Sequence, residues 1–409
     1  NISSGSSDFT VIPFLSAVFS TQNNSGIKPP AILGLTKNTN LHTNFKISSA
    51  SETVSLTNTS GNIVDQITAE NLPPNTSMGV SINSGTLVNY LETTPGYVNS
   101  NNEYLGAIQS KVVFSHNGGL INAPINLVLT GNNAGEVIRY ATGGSVPTES
   151  SPIYTNPIQI NSNVSVRAKI FSANYLPSST YTKSFILNAN HQLDVVLLTT
   201  DPENFFNEDT GIYVFGPAGT YETKEPYFGA NFWEDWERPI HIAFYESEDA
   251  TFAEFNAGVK IFGGWSRGQN EQRSLALFAR GQYGDSKFEH AFFNQLNYTE
   301  FQALVLRNSG QDWMKSSMKD IMLTSLMRGA GLDFQEHNSV ATYINGNYWG
   351  MYNMREKVNE HMLASKHNID AETITLLTNN AEEIEGSNEE YVQLINYISA
   401  TDLSIDANF

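Results

Sequence analysis

The chain has 409 residues, a length that predicts two to four domains rather than one. Its 41 acidic and 22 basic residues give a net charge of −19, which excludes nucleic acid and anionic membranes as main partners, because both require a basic surface. The chain contains no cysteine, so disulfide bonds and thiolate-bound zinc or iron–sulfur sites are excluded as well.

The longest apolar run near the start, residues 9–19, is shorter than the roughly 20 residues that a membrane-spanning helix needs. It has no basic flank, and the chain begins with Asn1 rather than Met, so we expect any export signal to have been removed already. Together with the absence of cysteine, this favours a secreted or cell-surface bacterial protein without a transmembrane segment.

Residues 1–102 are poor in charge and predict a small antiparallel β-sandwich, with strands at 53–57 and 78–82. Four segments stand out: Leu41-His42-Thr43-Asn44-Phe45-Lys46-Ile47-Ser48, Glu52-Thr53-Val54-Ser55-Leu56, Asn62-Ile63-Val64-Asp65 and Thr94-Pro95-Gly96-Tyr97-Val98-Asn99. Together they resemble a lamin-tail domain, which implies an immunoglobulin-like spacer or adhesion module. His42 is a candidate ligand, although a single histidine beside a strand is more often a structural hydrogen-bonding residue.

Residues 103–188 predict a second, seven-stranded sandwich, with strand patterns at 112–115, 125–129, 137–140, 158–160 and 164–171. The motifs in order are Ile138-Arg139-Tyr140, Gly144-Ser145-Val146-Pro147, Ser151, Tyr154, Pro157-Ile158, Val166-Arg167-Ala168 and Pro177-Ser178-Ser179. They resemble the C-terminal module of chitobiase and β-hexosaminidase, with Gly143 where that family usually has Asp. Tyr154 and Tyr175 could contact carbohydrate, or could pack in the core.

Residues 189–409 are richer in charge, contain all five tryptophans and show the first helical periodicity. Strands are predicted at 193–198, 212–215, 240–245, 259–262, 274–280 and 301–307, and helices at 313–328, from 355 through 363, and at 389–399. The pair Asn345-Gly346 between two strand-like runs predicts a tight hairpin whose central residues have positive φ. The acidic run 382–385 is most simply a solvated loop.

A glycine-rich connection joins the predicted strands 259–262 and 274–280 and contains Gly263, Gly264, Ser266, Arg267 and Arg273. Glycines let backbone amides approach an anion closely, and arginine side chains can bind phosphate oxygens in pairs. The stretch therefore suggests a phosphate-binding loop. A solvated hairpin with ordinary surface arginines is the alternative.

The third module carries a set of motifs: Trp236-Glu237-Arg238-Pro239, Gly258-Val259-Lys260-Ile261, Gly264-Trp265-Ser266-Arg267, Arg273-Ser274-Leu275, Tyr283-Gly284, Leu306-Arg307-Asn308, Asp312, Asp320, Tyr343-Ile344-Asn345-Gly346-Asn347-Tyr348-Trp349-Gly350-Met351-Tyr352 and Glu356-Lys357. As a set they resemble the CotH family, the spore-coat-H-type atypical secreted protein kinases. The resemblance implies an α+β, protein-kinase-like domain over 189–409, truncated at its C-terminus, with ATP and Mg²⁺ as cofactors and a protein substrate.

The resemblance also implies roles for single residues. Those expected at the nucleotide are Ser266, Arg267, Arg273, Arg307 and Glu356, and those expected to orient them are Asp312, Asp320 and Lys357. Arg273 stands where the family usually has Lys, which changes the geometry of the phosphate contact. For Glu356, a carboxylate at the start of a helix is the alternative. We expect the three guanidinium groups to converge on one pocket sized for a triphosphate.

The residues that bind Mg²⁺ and activate the acceptor hydroxyl in this family are expected beyond Phe409, so no metal site is predicted within the chain and no phosphoryl transfer is expected from it. The competing hypothesis is a non-enzymatic scaffold or carbohydrate-associated protein that binds a partner or a cell-surface polysaccharide. A hydrolase is less favoured, because no zinc-binding HExxH helix is present and the eight histidines are scattered along the chain.

Overall fold

The computed structural model describes residues 19–20, 51–70, 72–74, 76–94, 98–217, 221–247 and 252–408. His42, the motif 41–48 and positions 95–97 of the lamin-tail resemblance lie outside these ranges. Most of the regular structure within them is β-strand.

The first module contains one four-stranded sheet and one separate hairpin. Its strands are β1 (Phe19–Ser20), β2 (Ser51–Thr57), β3 (Ile63–Glu70), β4 (Ser77–Val80), β5 (Leu87–Tyr90) and β6 (Glu103–Tyr104). The sheet has the order β1-β4-β5-β6, and β2 pairs with β3. β2 and β4 confirm the strands expected near 53–57 and 78–82. β6 pairs with β5 just past the boundary expected at residue 102.

The second module is built from short strands around its own apolar core. They are β7 (Val113–Phe114), β8 (Gly119–Ile121), β9 (Ile125–Leu127), β10 (Leu129–Thr130), β11 (Val137–Thr142), β12 (Ile158–Ile160), β13 (Val164–Phe171) and β14 (Tyr181–Leu187). A sheet of order β11-β13-β14-β8 faces the pairs β10-β7 and β12-β9 across residues such as Leu127, Ile160 and Phe185. Tyr154 packs against this core, whereas Tyr175 is 42% exposed.

The third module is a closed β-barrel with short helices around it. Its strands are β15 (Asp194–Thr199), β16 (Arg238–Tyr245), β17 (Phe252–Phe262), β18 (Ser274–Phe278), β19 (Phe288–Glu289), β20 (Glu300–Phe301), β21 (Ala303–Arg307), β22 (His337–Ile344), β23 (Asn347–Glu356), β24 (Leu376–Thr378) and β25 (Glu382–Glu385). The barrel has the order β15-β16-β17-β18-β21-β23-β22 and closes where β22 pairs in parallel with β15.

The helices of the third module are α1 (Pro202–Phe206), α2 (Ser266–Gln269), α3 (Lys319–Ser325), α4 (Glu360–His367) and α5 (Glu389–Ala400), with 3₁₀ turns at Asn231–Trp233, Gly310–Asp312, Ala371–Thr373 and Asp406–Asn408. Alternate residues of each barrel strand point inward, as in Val259 and Ile261 of β17 and Leu275 and Leu277 of β18. These side chains form the largest apolar core among the described residues.

The pairing of the predicted strands 259–262 and 274–280 and the Asn-Gly turn are both confirmed. β17 and β18 pair from Gly258–Phe278 to Phe262–Ser274, which leaves the glycine-rich connection at one end of the barrel. Between β22 and β23, Asn345 and Gly346 have φ values of 51° and 86°, as a two-residue hairpin turn of this kind requires.

The helix predicted at 313–328 is much shorter in the structure. Met314 and Ser317 have positive φ, and the Asp312 carboxylate accepts hydrogen bonds from the amides of Met318 and Lys319 at 3.1 and 3.0 Å. This side-chain acceptor holds the segment in a looped turn and lets α3 begin only at Lys319.

Three further predictions of local structure were wrong. Residues 212–215 form turns rather than a strand, and 382–385 form the exposed strand β25 rather than a loop. The helix expected to open at Arg355 begins instead at Glu360, after Asn359 caps it by accepting from the amide of Met362 at 3.0 Å. Until Glu356 the chain stays in β23, because that strand is hydrogen-bonded to β21 and β22 on its two sides.

The second module packs directly against the outside of the barrel. Ile186 of β14 is fully buried and lies in a small apolar cluster with barrel residues, among them Val195, Leu197 and Tyr343. The hydroxyls of Ser184 and Thr199 are 2.9 Å apart in the same interface. The two modules are therefore joined by a small shared apolar cluster and not only by the chain.

Candidate functional site

The glycine-rich connection at the end of the barrel begins with Gly263, whose φ is 102°. The short helix α2 then starts at Ser266 and carries Arg267. Gly268 lies so close to the carbonyl of Pro226 that a Cβ would be 2.1 Å from its oxygen, so this position requires glycine. The turn is thus fixed in shape, and it places Ser266 and Arg267 beside the segment 226–233.

Arg273 is the last residue before β18 and is only 7% exposed. Its guanidinium carbon lies 4.2 Å from the ring centre of Phe232 and 5.1 Å from that of Tyr213. The Arg273 amide donates to the Tyr213 hydroxyl at 2.7 Å, and the Tyr352 hydroxyl donates to the Arg273 carbonyl at 2.7 Å. These contacts fix the backbone and place the cation on aromatic faces.

The side chain of Arg273 carries a charge that its surroundings do not neutralise. Its Nε atom is buried and has no hydrogen-bond partner, and no carboxylate of the described residues lies within ion-pairing distance. Burial lowers the pKa of Arg273, yet a guanidinium remains protonated at neutral pH. Its Nη1 donates to the Glu271 carbonyl at 3.4 Å, and Tyr213, Tyr352 and Glu271 offset part of the pKa lowering. The site therefore holds a buried positive charge that forms no ion pair within the described ranges.

Arg267 contacts Phe232, the residue whose ring also contacts Arg273. Its Nε donates to the Gly263 carbonyl and its Nη1 donates to the Phe232 carbonyl at 3.3 Å. Its guanidinium lies over the Trp233 ring, 5.3 Å from the centroid. Burial lowers the pKa of Arg267 and Asp235 offsets part of this effect, although no carboxylate within the described ranges lies at ion-pair distance from it. Phe232 is thus contacted by two arginines.

Arg307 is bound differently. Its Nε donates to Asp320 Oδ2 at 2.8 Å, and Arg355 donates to the same oxygen. Asp320 lies in the first turn of α3, so this carboxylate ties the helix to the outer face of β21 and β23. The structure therefore brings Arg267 and Arg273 together at Phe232, while Arg307 is neutralised by a carboxylate. Asp320 forms ion pairs with Arg307 and Arg355, and Asp312 shapes the turn before α3.

Glu356 lies at the end of β23 and is 1% exposed. One oxygen accepts from the Tyr298 hydroxyl, and the other accepts from the amide of Glu336 at 2.9 Å and pairs with Lys366 Nζ at 3.0 Å. Because this residue ends a strand, the alternative of a helix-start carboxylate is wrong. Both of its oxygens are occupied by groups of the chain itself.

A cavity of about 140 Å³ lies between the start of β21 and α4. Its lining includes Glu356, Lys357, Tyr298 and His361, but none of the three arginines expected at the nucleotide. Burial lowers the pKa of Lys357, Glu360 offsets part of this effect, and the nearby Lys260 and Arg280 lower the pKa further. The expected site residues are thus divided between this cavity, the pair at Phe232 and the cluster around Asp320.

Sequence reasoning missed the aromatic residues that hold the two arginines, namely Tyr213, Phe232 and Trp233, and it missed the Lys366 partner of Glu356. The concentration of tryptophan in the third module was the available signal for the aromatic residues. For Lys366 there was none, because its partner lies on a different element. Among the described residues, no group of three or more His, Asp or Glu side chains could hold a metal ion.

Within the described ranges, no helix is long and apolar enough to cross a membrane.

Comparison with known proteins finds family models that match parts of two modules. A search of curated proteins found no match. Residues 116–184 match the family model of the chitobiase/beta-hexosaminidase C-terminal domain, and residues 259–404, which contain both the glycine-rich connection and Glu356, match that of the CotH kinase protein.

Proposed function

We propose that the third module is the nucleotide-binding part of an exported CotH-type protein kinase and that Arg267 and Arg273 bind the phosphates of ATP. The observation that carries this proposal is the buried guanidinium of Arg273, which has no carboxylate partner in the described structure and an unpaired Nε. The match of residues 259–404 to the CotH kinase protein family supports it.

The physical argument concerns the cost of an uncompensated charge. A cation taken out of water without a counter-ion destabilises the fold, and the ring contacts offset only part of that cost. In a chain of net charge −19, carboxylates are abundant, yet none pairs with Arg267 or Arg273 in the described ranges. An anionic ligand compensates both charges, and the forked guanidinium suits phosphate oxygens.

The residues present fit the phosphates better than they fit the metal. Arg267 and Arg273 supply donors and positive charge, whereas both oxygens of Glu356 are engaged by Tyr298, Glu336 and Lys366. We therefore assign no Mg²⁺ ligand to Glu356 and derive no step through the metal. In phosphoryl transfer to a protein Ser or Thr, this chain's residues would contribute binding, orientation and charge neutralisation, which dominate such catalysis.

The test is a titration of the purified chain with ATP by calorimetry, with and without Mg²⁺. We expect Arg273→Gln to weaken ATP binding by roughly 10- to 100-fold, because a charge-assisted hydrogen bond contributes about 1.5–3 kcal/mol. Arg307→Gln is the matched control, since Arg307 is already neutralised by Asp320, and it should change the affinity by less than about 3-fold. Equal losses in both variants, or unchanged affinity in Arg273→Gln, would contradict the assignment.

A second candidate function rests on the second module. Its match to the chitobiase/beta-hexosaminidase C-terminal domain and its 42% exposed Tyr175 favour a scaffold or carbohydrate-associated protein that binds a cell-surface polysaccharide. Sedimentation with insoluble chitin or cellulose tests it. Loss of co-sedimentation in Tyr175→Ala supports this function, whereas no co-sedimentation of the unaltered chain excludes binding to these two polymers.

A further inference from the structure

Next to the two arginines lies a group of aromatic rings that we call the aromatic patch, formed by Phe228, Trp233 and Trp265. The ring centres of Phe228 and Trp233 are 4.7 Å apart, and those of Phe228 and Trp265 are 6.2 Å apart at an interplanar angle of 74°. Phe228 is 44% exposed and Trp265 is 60% exposed. The patch therefore presents apolar ring faces to solvent.

The exposure of Trp265 is unusual within this chain. All five tryptophans lie in the described ranges, and Trp265 is the one with more than a third of its surface exposed. Trp233, Trp236 and Trp349 pack against the barrel core, whereas Trp265 is not part of that cluster. Its large ring stabilises no core in this structure, and its position in the glycine-rich connection instead places it one residue from Ser266.

The aromatic patch is continuous with the cationic site. Trp233 is contacted on one side by Phe228 and on another by the Arg267 guanidinium, 5.3 Å from its centroid. From Arg273 to Trp265 there is thus an unbroken series of contacts through Phe232, Arg267, Trp233 and Phe228. Positive charge lies at one end of this series and exposed aromatic surface lies at the other.

We propose that the aromatic patch stacks the base of a purine nucleotide whose phosphates contact Arg267 and Arg273. This inference rests on the proposed function and adds the base specificity of the same site. A nucleoside triphosphate is itself anionic at one end and aromatic at the other, so its chemistry matches the two ends of the series. Stacking on Trp265 requires only a π-face, and the larger purine ring covers more of the exposed surface than a pyrimidine does.

The experiment separates the base from the phosphates. Quenching of tryptophan fluorescence is titrated with ATP, CTP and inorganic tripolyphosphate on the intact chain, on Trp265→Ala and on Trp265→Phe. We expect Trp265→Ala to bind ATP about 10-fold more weakly than the intact chain, with unchanged affinity for tripolyphosphate. Trp265→Phe should retain most of the ATP affinity. Calorimetry gives the affinities where the variant removes the fluorescent reporter.

The matched control is Tyr348→Ala, which removes an aromatic residue of similar exposure, 57%, that contacts His191 and Tyr343 outside the aromatic patch. It should leave the ATP affinity unchanged. If tripolyphosphate binds but ATP binds no more tightly, or if Trp265→Ala binds ATP as well as the intact chain does, stacking of the base on the aromatic patch is overturned and the phosphate site stands. If neither ATP nor tripolyphosphate binds the intact chain, the proposed function is overturned, and base stacking on the aromatic patch with it.

Discussion

Lys366 Nζ lies 3.0 Å from Glu356 Oε2, and the two side chains are 13% and 2% exposed. Removing one member of such a buried pair leaves the other charge without a partner, which typically costs about 3–5 kcal/mol. We therefore expect Glu356→Gln and Lys366→Met each to lower the free energy of unfolding by about 3 kcal/mol. Urea denaturation followed by circular dichroism measures this loss.

The double variant Glu356→Gln/Lys366→Met is the internal control. Because neither charge remains, its loss should be smaller than the sum of the two single losses by at least about 1 kcal/mol. Additive losses would show that the two residues do not act as a pair. If Glu356 contacts a nucleotide as well, Glu356→Gln weakens ATP binding at a temperature where it is folded, whereas Lys366→Met does not.

Asp320 neutralises two arginines on the outer face of the barrel. Arg355 is only 5% exposed at its side chain, while Arg307 and Asp320 are each 33% exposed. Asp320→Asn removes the negative charge that both guanidinium groups share. Solvent around the partly exposed Arg307 and Asp320 side chains screens part of the effect. We expect a loss of about 1–2 kcal/mol in the free energy of unfolding.

Calorimetric melting at low and at 1 M salt checks this prediction. High salt should reduce the difference in melting temperature between Asp320→Asn and the unaltered protein only slightly, because salt screens the interaction with the buried Arg355 poorly. A matched substitution at Asp312, which accepts hydrogen bonds but forms no ion pair with any described residue, should instead act through the turn before α3. An Asp320→Asn variant as stable as the unaltered protein would exclude the shared-carboxylate role.

A buried histidine between the second module and the barrel gives the protein a predictable response to acid. Burial lowers the pKa of His241 to about 3, and the nearby Arg167 and Lys183 lower it too. The unfolded chain binds a proton near pH 6.5 and the folded protein does not, so this contribution to stability is complete above pH 6.5. It is lost as the pH falls from 6.5 toward 3.

Between pH 7.5 and 5.0, His241 should therefore account for a loss of about 2 kcal/mol in the free energy of unfolding. Urea denaturation of the unaltered protein and of His241→Gln at both pH values measures it. The carboxylates are common to the two proteins, so the difference between their pH responses isolates the histidine. Identical pH dependence in both would mean that the pKa of His241 is the same in the folded and the unfolded protein.

The strands of the barrel were largely predictable from alternating side chains, because β16, β17, β18 and β21 each place one face in the core. The closure of the barrel was not. β15 pairs with β22 in parallel, with Asp194 beside Val340, and such a contact between distant segments leaves no mark on local periodicity. The same tertiary pairing kept Arg355 and Glu356 in a strand where local preference indicated a helix.

The loop of the candidate site was predictable from the sequence, whereas the residues that contact this loop were not. Glycines and arginines between β17 and β18 indicated an anion site, and the structure places Arg267 and Arg273 together there. Phe232, which Arg273 contacts at the ring and Arg267 at the backbone carbonyl, comes from another segment of the chain. For Arg307, periodicity gave the face of the strand but could not give Asp320, which arrives from the helix that covers that face.

Gly144 of the second module packs against the Asn345-Gly346 turn between β22 and β23. We therefore predict that the two modules unfold together. A Cβ on Gly144 would lie 2.3 Å from the Thr200 carbonyl oxygen and 2.5 Å from the Asn345 side-chain oxygen, and the φ of Gly144 is 102°. Gly144→Ala should therefore force the modules apart and separate a single thermal transition into two, with a loss of several degrees in the lower one.

Differential scanning calorimetry checks the number of transitions, and Gly143→Ala is the matched control. Gly143 is the neighbouring residue, also with positive φ at 74°, but no atom of the part of the chain that the structure describes lies within 4 Å of its Cβ position. It should show only the backbone strain of alanine at that φ and keep one transition.

Because Ile186 of the second module lies in a shared apolar cluster with the barrel, Ile186→Ala should act as Gly144→Ala does, with a cost of about 2–5 kcal/mol. Two transitions in the unaltered protein, or one transition in both interface variants, would contradict a common folding unit.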